Sequence, residues 1–192
     1  MTDERTLWWQ VRERLAAQAW SCDDSTWDVP AMGGTVGSLL ARYAADGCTA
    51  RLDVARNLQQ LSEDRLGADY GQVDDVTTAW LDLRRIDAAL GRPPIDLRSS
   101  VALFVGAELL NELTEALAAA AASATVTITG PGFAATVEAG TQPSDCVAEM
   151  SWPTLVQLSA GTLEVADSVM HLAGSGAAID AFLDAVTQIR RT

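Results

Sequence analysis

The run Thr125-Val126-Thr127-Ile128-Thr129-Gly130-Pro131-Gly132 is where the chain changes its period, and its reading decides the fold. Polar and apolar residues alternate over the first five positions. That places three threonines on one side of an extended strand and Val126 and Ile128 on the other. Gly130-Pro131-Gly132 supplies turn residues, so residues 133–139 read as a second strand and 145–151 as a third. Trp152-Pro153 opens a short helix over 154–160, with proline near its first turn. Residues 168–172 read as another strand, and a closing helix over 174–191 carries Ile179, Phe182, Leu183, Val186 and Ile189 on one face. This part of the chain is expected to be a small α+β unit of a few antiparallel strands with helices on one side.

Before Thr125 the period is helical. Leu7, Val11, Leu15 and Ala19 recur at helical spacing, which predicts an amphipathic helix over 6–20. Residues 21–34, rich in Asp, Ser, Pro and Gly, form a connector. Thr35 then caps a second helix whose Val36, Leu39, Leu40 and Tyr43 face one way; Gly47 interrupts or bends it, and 50–61 continues the pattern. Residues 62–75 read as an acidic loop. A third helix over 76–90 ends at Gly91, before Pro93-Pro94, and a fourth runs from about 100 to 122. Four helices with connectors of this kind predict a bundle, and the domain boundaries are expected at 1–123 and 124–192.

Composition excludes several kinds of chemistry. The chain has 192 residues, a formal charge of −13 and one histidine, His171. Zinc hydrolases, Ser-His-Asp triads and most imidazole acid–base enzymes need more than that. The negative charge argues against a nucleic-acid partner. All 13 basic residues are arginine, so Schiff-base and ammonium catalysis are absent from its means. Cys22, Cys48 and Cys146 are odd in number and widely spaced, which suits reduced thiols. No stretch is long and apolar enough for a membrane span, and the start of the chain lacks a signal-type apolar region, so a cytoplasmic protein without a membrane partner is expected.

Two segments carry a family resemblance. The run Trp80-Leu81-Asp82-Leu83-Arg84-Arg85-Ile86-Asp87-Ala88-Ala89-Leu90-Gly91-Arg92-Pro93-Pro94 resembles the helix of mycothiol-dependent maleylpyruvate isomerases that ends in an A-L-G-R-P-P-like break. Gly34-Thr35-Val36-Gly37-Ser38-Leu39-Leu40-Ala41-Arg42 resembles their G-W-T-V-x-D-V-L-A-H segment, and the tail from Thr125 is similar to their sterol-carrier-like C-terminal domain. The resemblance implies an α+β protein: a four-helix DinB-like bundle over 1–123, then a sterol-carrier-like α+β domain over 124–192.

In that family the bundle holds a divalent metal with two histidines and a carboxylate. The resemblance places Arg42 at the first histidine, Asp82 at the second and Thr78 at the glutamate. Arginine has no lone pair to give and would repel the ion, so no metal or other cofactor is expected here. Two arrangements stay open: an Arg42–Asp82 ion pair in the metal's place, with Arg42 presenting to a substrate carboxylate and Asp82 orienting it, or two solvated surface residues whose register differs from the family's by a turn. The candidate ligand-binding residues are Arg42, Tyr43, Thr78, Trp80 and Asp82; the candidate catalytic ones are Arg42, Asp82 and Arg85.

Three readings of function stay open at this point. One is a metal-free relative that binds a small organic ligand, with thiol linkage an open question. Another is a metal-independent isomerase, cyclase or lyase acting on a natural-product or thiol-conjugated substrate. The third is a partner subunit that docks through a bundle face. A monomer or homodimer suits any of them. Three further features read as structural: the six tryptophans as core or interface, Glu108, Glu112 and Glu115 as a solvated acidic face, and His171 as a hydrogen-bonded strand residue.

Overall fold

The computed structural model describes residues 4–63, 76–92, 99–130, 133–140 and 144–189. The fold is α+β. The expected breaks at Pro93-Pro94 and Pro131-Gly132, and residues 64–75 of the expected loop, lie outside the described residues. Contacts divide the chain into one unit that ends at Val101 and a second from Ala102 onward. In this division most of the fourth long helix falls in the second unit.

The first unit is built on helices α1 (Glu4–Ser21), α2 (Asp24–Trp27), α3 (Val36–Ala41), α4 (Arg51–Glu63) and α5 (Val76–Ala89). A minimal hairpin of β1 (Pro30–Ala31) and β2 (Gly34–Thr35) precedes α3. Leu7, Val11, Leu15 and Ala19 of α1 are all buried, as their spacing requires. They share the core with Leu39 and Leu40 of α3, Val54 and Leu58 of α4, and Trp80, Leu83 and Ile86 of α5. Of the interruption or bend expected at Gly47, the structure has the interruption: α3 and α4 are separate helices. After Ala41 the chain tightens into i→i−3 turns (Tyr43 N–H to Leu40 O, 3.2 Å; Ala44 N–H to Ala41 O, 3.2 Å), and Gly47 turns left-handed at φ 86°.

The second unit holds α6 (Ser100–Ala119) from Ala102 onward, a four-stranded sheet and two further helices, α7 (Trp152–Ala160) and α8 (Gly176–Gln188). Its strands are β3 (Ala124–Gly130), β4 (Phe133–Ala139), β5 (Cys146–Ser151) and β6 (Met170–Gly174), in the order β4-β3-β5-β6. The expectation of antiparallel strands needs one correction: β3 and β5 run parallel, because the β3–β4 hairpin turns outward and the chain returns to the other side of β3. Val126, Ile128, Ala148 and Met150 form the buried face of the sheet, while Val147, Glu149 and His171 face solvent. Ser151 and Ser175 cap α7 and α8 by accepting from Thr154 N–H and Ala178 N–H. In mid-α6, Gly106 makes room for the indole of Trp152. A Cβ there would lie 2.8 Å from the ring.

Candidate functional site

Local chemistry in the first unit fixes three side chains around one carboxylate. The hairpin β1–β2 turns through Met32-Gly33, with Gly33 at φ 87°, a conformation that glycine adopts without strain. Thr35 and Ser38 then form a capping box: Thr35 Oγ1 accepts from Ser38 N–H (3.1 Å), and Ser38 Oγ accepts from Thr35 N–H (2.8 Å). This starts α3 at a set position. The tight turn at its end puts Arg42 at the rim and drives Tyr43 inward. Asn57 of α4 holds the turn by accepting from Ala45 N–H at 2.8 Å.

Asp82, on α5, is completely buried. Its Oδ2 accepts from the Tyr43 hydroxyl at 2.7 Å and from Arg42 Nη1 at 3.3 Å. Its Oδ1 accepts from Arg85 Nη1 at 2.6 Å, one helical turn away. Arg42 Nη2 donates to the Gly33 carbonyl at 2.8 Å, tying the hairpin tip to the cluster. Of the two open arrangements the structure has the Arg42–Asp82 pair, and Tyr43 and Arg85 join it. Two guanidiniums, Arg42 and Arg85, share this carboxylate.

Both Asp82 oxygens are occupied by cationic or hydroxyl donors, and neither guanidinium has a lone pair to offer. The donor set therefore does not fit a divalent cation. Among the described residues, no group of three or more His, Cys, Asp or Glu side chains converges elsewhere.

The other candidates divide. Thr78 is half-buried one turn before Asp82, on the same stripe of α5. Trp80 does not join them. Two residues along a helix rotate a side chain by roughly 200°, so Trp80 is fully buried on the far stripe, with Arg84 stacked 5.1 Å from its ring centre.

That far stripe carries a second charged cluster that sequence reasoning missed. Arg84 Nη2 lies 2.7 Å from Asp87 Oδ2, and both side chains are nearly buried. Asp87 Oδ1 accepts from Gln18 Nε2 at 3.1 Å, and Gln18 Oε1 accepts from Arg92 Nη1 at 2.6 Å. Arg92 is placed by the end of α5, where Gly91 turns left-handed and Arg92 N–H closes on Asp87 O at 2.8 Å. Burial lowers the Arg84 guanidinium to about 10, against the pull of Asp87. Burial also raises the Asp87 carboxyl, more than Arg84 and Arg92 pull it down. The repeat Trp80, Arg84, Asp87 at four- and three-residue steps was the signal in the sequence.

In the second unit, Glu112 and Glu115 border an open recess of about 420 Å³ with Gln188 and Ile189, and Glu108 is half-buried on the same helix. His171 lies on a strand, as expected, exposed on the edge strand β6 and directly across from Glu149 of β5. No protein-family model, curated protein or solved structure matches the chain.

Proposed function

We propose that this chain is a metal-free relative of the mycothiol-dependent maleylpyruvate isomerases that binds a small carboxylate-bearing organic ligand at Arg42. In this reading α1, α3, α4, α5 and α6 derive from a DinB-like bundle, and the sheet with α7 and α8 derives from a sterol-carrier-like domain. The helices-then-sheet order and the sequence runs at residues 34–42 and 80–94 support it. The protein is proposed to work in the cytoplasm without nucleic acid; among the described residues, no helix is long and apolar enough to cross a membrane.

One observation carries the functional reading. At the positions that the resemblance aligns with the family's metal ligands, the carboxylate of Asp82 is buried and held between a buried guanidinium, Arg85, and a second guanidinium, Arg42, whose side chain is 42% exposed. Asp82 and the Gly33 carbonyl hold Arg42 by one donor each, leaving its outer edge to solvent. A guanidinium fixed in this way binds a carboxylate with little loss of side-chain freedom.

The test is native mass spectrometry of the purified protein together with calorimetric titration of small mono- and dicarboxylates. An organic adduct, or carboxylate affinity that falls about tenfold or more in Arg42→Ala, supports the reading. One equivalent of zinc, or affinity unchanged in Arg42→Ala, overturns it.

A further inference from the structure

Among the described residues, the far stripe of α5 holds more buried hydrogen-bond donors without a partner than acceptors, with Asp87 Oδ2 the acceptor there that lacks an aligned donor. Trp80 is 0% exposed and its Nε1–H has no acceptor. Arg84 is 6% exposed; its Nε and Nη1 have none either, and its Nη2 meets Asp87 without hydrogen-bond alignment. Arg14, one turn before Gln18 on α1, keeps a buried Nη1 with no acceptor. Among the described residues, one carboxylate there, Asp87, stands against three guanidiniums, those of Arg84, Arg14 and Arg92. Each buried donor left without a partner has given up its hydration with nothing in return, and a charged one has given up more. Apolar packing cannot recover that cost, nor can a further cation.

We infer that Trp80, Arg84 and Arg14 form a binding site for a small oxyanion, distinct from the Asp82 cluster on the opposite stripe of α5. An oxyanion brings what the site lacks: several lone pairs on adjacent oxygens and a negative charge. Arg84 supplies a planar fork of N–H groups, and Trp80 adds a neutral donor beside it. Arg14 and Arg92 are half-buried and make the outer edge. Gln18 is not free to serve the anion, because Asp87 and Arg92 take its amide. The ligand class is phosphate-like or carboxylate, since both present the same paired oxygens.

The experiment follows the Trp80 indole N–H by heteronuclear NMR on the full chain, with Trp80→Phe to assign it. Inorganic phosphate and acetate are titrated separately, each against sodium chloride at equal ionic strength. A saturable shift with phosphate or with acetate, absent with chloride, establishes the site and says which oxyanion it prefers. In Arg14→Gln the affinity is expected to weaken about tenfold, as loss of one charge-assisted hydrogen bond implies. In Arg42→Ala it is expected to hold, which separates this site from the one in Proposed function. No shift with either oxyanion, an equal shift with chloride, or unchanged affinity in Arg14→Gln overturns the inference.

Discussion

Arg85 and Asp82 lie one helical turn apart on α5 and share a 2.6 Å ion pair in which the side chains are 1% and 0% exposed. Arg42 binds the same carboxylate from the rim at 3.3 Å. The two arginines hold one group, but from opposite sides of the water boundary.

Their removal is therefore expected to have unequal effects on stability. Arg85→Ala strips a fully buried carboxylate of its shortest partner and is expected to cost about 3–5 kcal/mol. Arg42→Ala breaks a contact that solvent already screens and is expected to cost less than about 1 kcal/mol. Urea denaturation at neutral pH measures both. Replacing the pair together, Asp82→Leu with Arg85→Met, is expected to recover most of the Arg85→Ala loss, because the Asp82 carboxylate is then no longer buried without its ion-pair partner. Equal losses for the two single variants would show that burial does not separate them.

Two aspartates of the first unit are expected to titrate in opposite directions. Asp87 is raised above 3.8, mainly by burial. Its folded state therefore holds the proton more tightly, and stability falls as pH rises from 3.8 through the raised value. Asp23 caps α2 and is lowered to about 2, first by the Ser25 hydroxyl and then by the Thr26 N–H and hydroxyl. Its contribution is full above 3.8 and is lost as pH falls through about 2. Carboxyl-carbon NMR titration resolves both midpoints. An Asp87 midpoint at or below 3.8 would mean that the guanidiniums around it outweigh its desolvation.

Ala121 ends α6 in a left-handed conformation at φ 50°, with Ala122 N–H closing on Leu117 O at 2.9 Å. This is the closure that usually carries glycine, and a Cβ there costs about 1 kcal/mol. Ala121 is exposed, so no packing offsets the strain. Ala121→Gly is expected to raise the thermal midpoint by roughly 2–4 °C, measured by calorimetry. A fall would show that the added freedom of the unfolded chain outweighs the strain relieved.

How far the sequence could be read follows from what each signal depends on. Alternation at Thr125–Thr129 marked β3, and Thr35 marked the start of α3, because a strand's period and a helix cap are local properties. The parallel pairing of β3 with β5 is not local, since either strand order satisfies the same alternation. At the site, the Arg42–Asp82 pair is legible only through a resemblance, whereas Trp80, two residues from Asp82 in sequence, lies on the other stripe because helical rotation separates them. Gly33 could not be foreseen at all, because it acts through a backbone carbonyl that every residue has.

The contact between Gly106 and Trp152 sets two known effects against each other. In the middle of a helix, Gly→Ala normally gains about 1 kcal/mol. Here the added Cβ would lie 2.8, 3.2 and 3.3 Å from three carbons of the Trp152 ring. Trp152 is 2% exposed, so the ring has little room to withdraw, and overpacking of this kind costs about 1–3 kcal/mol. Gly106→Ala is thus expected to destabilise the protein on balance. In a Trp152→Leu background the same substitution meets no ring, and its helical preference is expected to turn it stabilising relative to that background. A double-mutant cycle by denaturation measures this change of sign. A penalty that persists without the indole would place the obstruction elsewhere in the core around α6.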